Sequence, residues 1–198
     1  MDHVALALAT VSLVVTRYIF PGRIGYAILC LLFMVGLPLA LIRYRKERLG
    51  GYLIGLGDLK GGLGVSLLLI ALSFPFMYYA TTMASFQDYY PLWKPAGDSV
   101  GNFLLFESYV LVLMFCTEFF YRGFLLNTLL KESRHGNGIH ALVYMIAHLG
   151  KPPLEVLYSL PAGWIFAKVD MKYKSILPSL LMHYVSSVIF DLLVIYHA

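Results

Sequence analysis

The chain has 198 residues; 60% are hydrophobic, 13% are charged and the formal net charge is +4. Soluble domains carry about 25% charged residues, and a core of this size cannot bury so much apolar surface. With a mean hydropathy of +0.75, the composition excludes a soluble globular enzyme, a disordered chain and a disulfide scaffold. It implies an all-α, polytopic transmembrane helical bundle.

A helix needs about 20 mostly apolar residues to cross a bilayer. In chain order, the apolar runs predict spans near 4–20, 24–42, 63–83, 102–121, 138–150, 154–168 and 174–196. That makes about seven helices, with six or eight as alternatives. The runs 138–150 and 154–168 are short, and a shallow or re-entrant segment is tolerated only inside a protein bundle. No Lys or Arg precedes the first run, so it reads as a retained span and not as a cleavable signal. Cys30 and Cys116 lie in apolar runs and read as buried thiols. The Gly-rich linker from Gly50 to Gly64 lacks the Lys-Ser/Thr ending of a phosphate loop. The loop 84–100, with Tyr89, Tyr90 and Trp93, suits the membrane interface. No basic stripe interleaved with aromatics points to nucleic acid.

The loop charges predict an orientation. Arg43, Arg45, Lys46, Arg48 and Lys60 follow the second span. Arg122, Lys131 and Arg134 follow the fourth, and Lys168, Lys172 and Lys174 the sixth. Alternating spans put all of these on one side, which the positive-inside rule assigns to the cytoplasm together with the N-terminus. The expectation is an integral protein of the cell membrane. Residues 1–101 form N-terminal helices and an interfacial loop, and residues 102–198 form a second unit.

Ionisable residues inside apolar spans carry the chemical information. Each costs roughly 2.5–3.5 kcal/mol at a helix centre on insertion scales, so such residues face the bundle interior and mark function. The set here is Glu107, Glu118, Arg122, His148, His183 and Asp191. Glu118 and Arg122 share a helix face at i, i+4 and can pair. A structural ion pair and two packing histidines are the bland reading. Ser187 and Asp191 follow His183 along one side of the last helix. The sharper reading brings Glu118, His148 and His183 from three helices into one cavity. There a carboxylate could activate water, and the imidazoles could hold that water or the oxyanion. Two His and one Glu also match a known catalytic zinc set, so a divalent metal stays open as a cofactor.

The stretches Thr117-Glu118 to Arg122, Tyr144 to His148 and His183 to Ser187 resemble the CAAX-protease and bacteriocin-processing family of intramembrane endopeptidases. The family pattern is E-E-x-x-x-R, F-x-x-x-H and H-x-x-x-N on successive helices. Thr117 stands where the pattern has its first Glu, Tyr144 where it has Phe, and Ser187 where it has Asn. The resemblance covers roughly residues 102–194 and describes a divergent branch with a single Glu in the first motif. It implies peptide-bond hydrolysis in membrane-associated proteins or peptides. Glu118, His148 and His183 are the expected catalytic residues, supported by Arg122, Asp191, Tyr144 and Ser187. Asp191 is expected to tune His183. The alternatives are a non-catalytic interaction or immunity protein on the same scaffold, and a small transporter or proton relay.

Overall fold

The computed structural model describes residues 2–197 and is helical throughout, with no strand among them. Eight helices follow in order: α1 (His3–Tyr18), α2 (Arg23–Tyr44), α3 (Leu59–Thr81), α4 (Ala84–Tyr89), α5 (Val100–Glu132), α6 (Gly136–Ala147), α7 (Pro153–Tyr173) and α8 (Leu177–His197). The seven predicted runs each become a helix. The eighth, α4, is a six-residue helix inside the loop expected at the interface. Helices α2, α3, α5 and α8 are long and apolar enough to cross a membrane. Their outward faces expose large apolar side chains, among them Ile28, Leu67, Leu72, Phe76 and Leu105. A face of that kind is stable only against lipid.

Side-chain caps set three starts. Asp2 accepts from the Ala5 amide at α1, Asp58 from Gly61 at α3 and Ser99 from Asn102 at α5. Each satisfies an amide that a helix start leaves without an intrahelical partner.

Two helices differ from their predicted lengths for physical reasons. The short run 154–168 is a full 21-residue helix, because α7 continues through Lys168, Asp170 and Lys172. Asp170 is buried there, and one of its oxygens accepts the Ser179 amide at 3.0 Å, in the first turns of α8. The run 102–121 becomes the 33-residue α5, which does not stop at Arg122. Arg122 was expected among the loop charges; it is instead fully buried within the bundle. Its partner Glu118, one turn earlier, removes the reason for it to seek water.

The bundle has two distinct ends. At the basic end, the chain from Tyr44 to Asp58 meets the start of α1, the end of α5 and the α7–α8 turn. Arg45 pairs with Asp2, and Lys131 pairs with Glu47 at 2.6 Å. The Ile176 amide donates to Leu53 and the Asp58 amide to Tyr173. At the opposite end, Arg17 donates to the Leu149 carbonyl, and Glu155 accepts from Tyr90 and Lys151. The basic loops therefore do gather at one end, as alternating spans require.

Candidate active site

Helices α5, α6, α7 and α8 build the site. Glu118 lies in α5 at the start of a wide, π-helical turn (Phe119–Leu125). Turns of this kind recur at functional sites, since one extra residue re-aims the following side chains. Glu118 is fully buried and has two partners. His183 Nδ1 lies 2.6 Å from its Oε1, and Arg122 Nε lies 3.1 Å from its Oε2. The Arg122 contact is an ion pair without the alignment of a hydrogen bond.

Aromatic rings complete the cage. The Arg122 guanidinium sits 4.0 Å from the centroid of the Tyr144 ring and 5.3 Å from that of Phe166. Buried cation–π contacts are worth about 2 kcal/mol. They serve Arg122 Nη1 and Nη2, which have no hydrogen-bond partner. The closeness of α7 to this ring depends on Gly163. A Cβ added there would stand 2.7 Å from Tyr144 Cδ1.

His148 caps α6 one turn beyond Tyr144, and their ring centroids are 4.5 Å apart. Its Nδ1 lies 2.8 Å from the Tyr144 carbonyl. A carbonyl only accepts, so Nδ1 carries the proton and donates, leaving Nε2 free.

A cavity of about 310 Å³ opens beside these groups, in the half of the bundle away from the basic end. His148, His183, Tyr144, Ser187 and Asp191 line it. Most of its remaining wall is apolar or aromatic, including Phe76, Phe106, Phe166 and Phe190. The wall draws on α3 and α4 as well as on the C-terminal half of the chain, so residues from both sides of position 101 enclose it.

Five of the seven expected site residues thus meet at one cavity. Glu118 and Arg122 do not line it; they stand behind His183 and Tyr144. Thr117, in place of the family's first Glu, donates its hydroxyl to the Leu113 carbonyl at 2.9 Å and puts no carboxylate there. Asp191 makes no direct hydrogen bond to His183. Glu118 is the carboxylate that holds His183, and Asp191 meets Glu107 instead.

A metal fits poorly. Among the described residues no three His, Cys, Asp or Glu side chains group so as to hold an ion. In the Glu118 and two-His set, Glu118 Oε1 is occupied by His183 and His148 Nδ1 by a backbone carbonyl.

Sequence reasoning gave Phe166 no role, and gave Glu107 none beyond its place in the buried set. Glu107 could have been placed from spacing alone. It precedes Glu118 by eleven residues, close to three helical turns, and so lies on the same face of α5. Phe166 carries no such signal, being one apolar residue among many.

Residues 99–189 match the family model described as type II CAAX prenyl endopeptidase Rce1-like. No curated protein and no solved structure matches the chain. The segment that supplies Glu118, Arg122, His148 and His183 is therefore similar to the Rce1-like CAAX prenyl endopeptidases, and it is set in an integral membrane bundle.

Proposed function

We propose that the chain is an intramembrane endopeptidase that hydrolyses peptide bonds of membrane-associated proteins or peptides in the 310 Å³ cavity. The observation that carries this reading is His183, which touches buried Glu118 at 2.6 Å and also lines the cavity. Its Nδ1–H donates to Glu118, so Nε2 is left as the proton acceptor. A carboxylate held against an imidazole fixes its tautomer and stabilises the cation formed when it takes a proton. Glu118 thus acts on water through His183, an indirect version of the role expected from sequence. Arg122 pairs with the other oxygen of Glu118, and Tyr144 and Phe166 hold Arg122 in place.

The step follows. Water bound between His183 Nε2 and His148 Nε2 gives a proton to His183 as its oxygen adds to the substrate carbonyl. The Ser187 hydroxyl donates to the developing oxyanion. The apolar wall accepts the membrane-embedded part of the substrate and excludes bulk water.

The positive-inside rule puts the basic end, and with it the N-terminus, in the cytoplasm of the cell membrane. The cavity then occupies the outer half of the bundle.

The test is cleavage of a membrane-anchored fluorogenic peptide by purified protein in liposomes. His183→Ala and His148→Ala should abolish turnover while the protein stays folded and inserted. Full turnover in either variant would overturn the assignment. Turnover that is absent from the wild type as well would favour a non-catalytic scaffold.

A further inference from the structure

Beside the cavity lies a second pair of acidic groups, Asp191 in its wall and Glu107 behind it, that the hydrolysis at His183 does not use. Glu107 and Asp191 are both buried, at 3% and 2% exposure, and their carboxyls are within hydrogen-bonding reach of each other. They bridge the same two helices as Glu118 and His183, α5 and α8, one level further from the basic end. Neither Glu107 oxygen finds an N–H or O–H donor, and neither does Asp191 Oδ1. Two carboxyls can hydrogen-bond to each other only if one carries a proton. Two like charges sharing one buried site cannot both persist. Asp191 also lines the cavity, on the same wall as His183 and Ser187.

We propose that Glu107 and Asp191 share one proton and serve as the general acid of the hydrolysis, delivering that proton to the departing nitrogen. This rests on the peptidase reading above and adds the half-reaction it lacks. Water's oxygen bonds to the carbonyl carbon while His183 takes one water proton. The carbon–nitrogen bond then breaks, and the nitrogen takes the proton of the Glu107–Asp191 pair. The proton on His183 returns to the pair, so acid and amine leave and the enzyme is reset.

The two levels lie eight residues, or about 12 Å, apart along α8. That length suits an attacking water at His183, a scissile bond facing Ser187 and one relay water at Asp191. The leaving side of the substrate then points away from the basic end.

Other charged or titratable groups around the pair are few. Lys151, Glu155 and Tyr90 face Asp191 from the α6–α7 turn, α7 and the α4–α5 loop, and Tyr184 of α8 stands near Glu107. Lys151 is occupied by Glu155 at 2.7 Å.

The experiment compares two membrane-tethered substrates with the same acyl part, one a peptide and one a p-nitrophenyl ester. The ester's leaving group departs without a proton. Asp191→Asn should lower kcat on the peptide by about 100-fold or more, the usual worth of a general acid. It should leave KM little changed and spare most ester cleavage, since general-acid help is worth little where the leaving group needs no proton. Glu107→Gln should keep more peptide activity and move the alkaline limb of its pH profile. Infrared spectra of wild type minus the double variant should show a protonated-carboxyl stretch at neutral pH.

An Asp191→Asn variant that loses both substrates equally would make the pair structural and overturn the proposal. So would unchanged peptide cleavage, or a missing carboxyl band. Loss with His183→Ala but not with Asp191→Asn would sink the acid and leave the peptidase reading standing. A wild type that cleaves neither substrate would remove both.

Discussion

The two polar levels between α5 and α8 are built on opposite principles. At the first, Glu118 is paired on both oxygens, by His183 and by Arg122, and Arg122 is caged by Tyr144 and Phe166. At the second, Glu107 and Asp191 meet no donor but each other. Both are buried, so the cost of burial does not separate them. The difference is in what each group is left free to do. A carboxylate satisfied on both sides can orient a neighbour but cannot itself exchange protons with a substrate. A carboxyl pair joined only by its own proton can. The fold thus separates positioning from proton delivery within one helix interface.

The largest effect should come from breaking the first level. Glu118→Gln takes away the charge that orients His183 and leaves Arg122 uncompensated. Turnover of the anchored peptide should fall by about 10³–10⁴-fold, as when a triad carboxylate is neutralised. The fold should also lose about 3 kcal/mol, the low end for a broken buried ion pair. Turnover near wild type would show that His183 does not depend on Glu118.

Next comes the packing that supports this level. Gly163→Val drives a side chain into the Tyr144 ring, where even a Cβ has only 2.7 Å. Overpacking of this kind costs about 1–3 kcal/mol, read as a lower Tm in nanodiscs. Tyr144→Leu keeps bulk but removes the ring over Arg122, and should cost about 2 kcal/mol. An unchanged Tm in both would mean that the cage does not hold Arg122.

The smallest effect belongs to the ties at the basic end, which are exposed where the two levels are closed. The bond from Arg45 pulls the Asp2 carboxyl from 3.8 down to about 2. Lys131, and then Tyr52, hold Glu47 below its usual range. A depressed carboxyl contributes stability above its unfolded value and loses it as the pH falls through the folded one. The Asp2 contribution should therefore be complete above about pH 4 and fade toward pH 2. Arg45→Ala should cost about 0.2–1 kcal/mol at neutral pH, with the gap to wild type closing on acidification. A gap that widens in acid would contradict the sign.

How far the sequence carries this account depends on the kind of signal. Hydropathy located the seven runs that become α1–α3 and α5–α8, of which α2, α3, α5 and α8 are long and apolar enough to cross a membrane. It misjudged the ends of α5 and α7, where charged residues lie within helices. Arg122 and Asp170 are tolerated because each has one partner, Glu118 a turn away for the first and the Ser179 amide for the second. The i, i+4 spacing of Glu118 and Arg122 was readable, since helix geometry alone fixes it. The contact of Glu118 with His183 spans 65 residues; the rule that intramembrane ionisable residues face the bundle interior suggested their convergence, but not the direct bond. That Glu118 stands behind the cavity wall, and that Asp191 turns to Glu107, depend on the rotation of α5 against α8. The wide turn at Phe119–Leu125 follows Glu118 directly, and no residue pattern announces it.

The most direct test of the central claim is ¹⁵N NMR of histidine-labelled protein in nanodiscs. If Glu118 holds His183 toward the cavity, His183 carries its proton on Nδ1, its Nε2 is bare, and Glu118→Gln shifts the Nδ1 resonance strongly. A His183 protonated on Nε2 alone, or one indifferent to Glu118→Gln, would contradict the account.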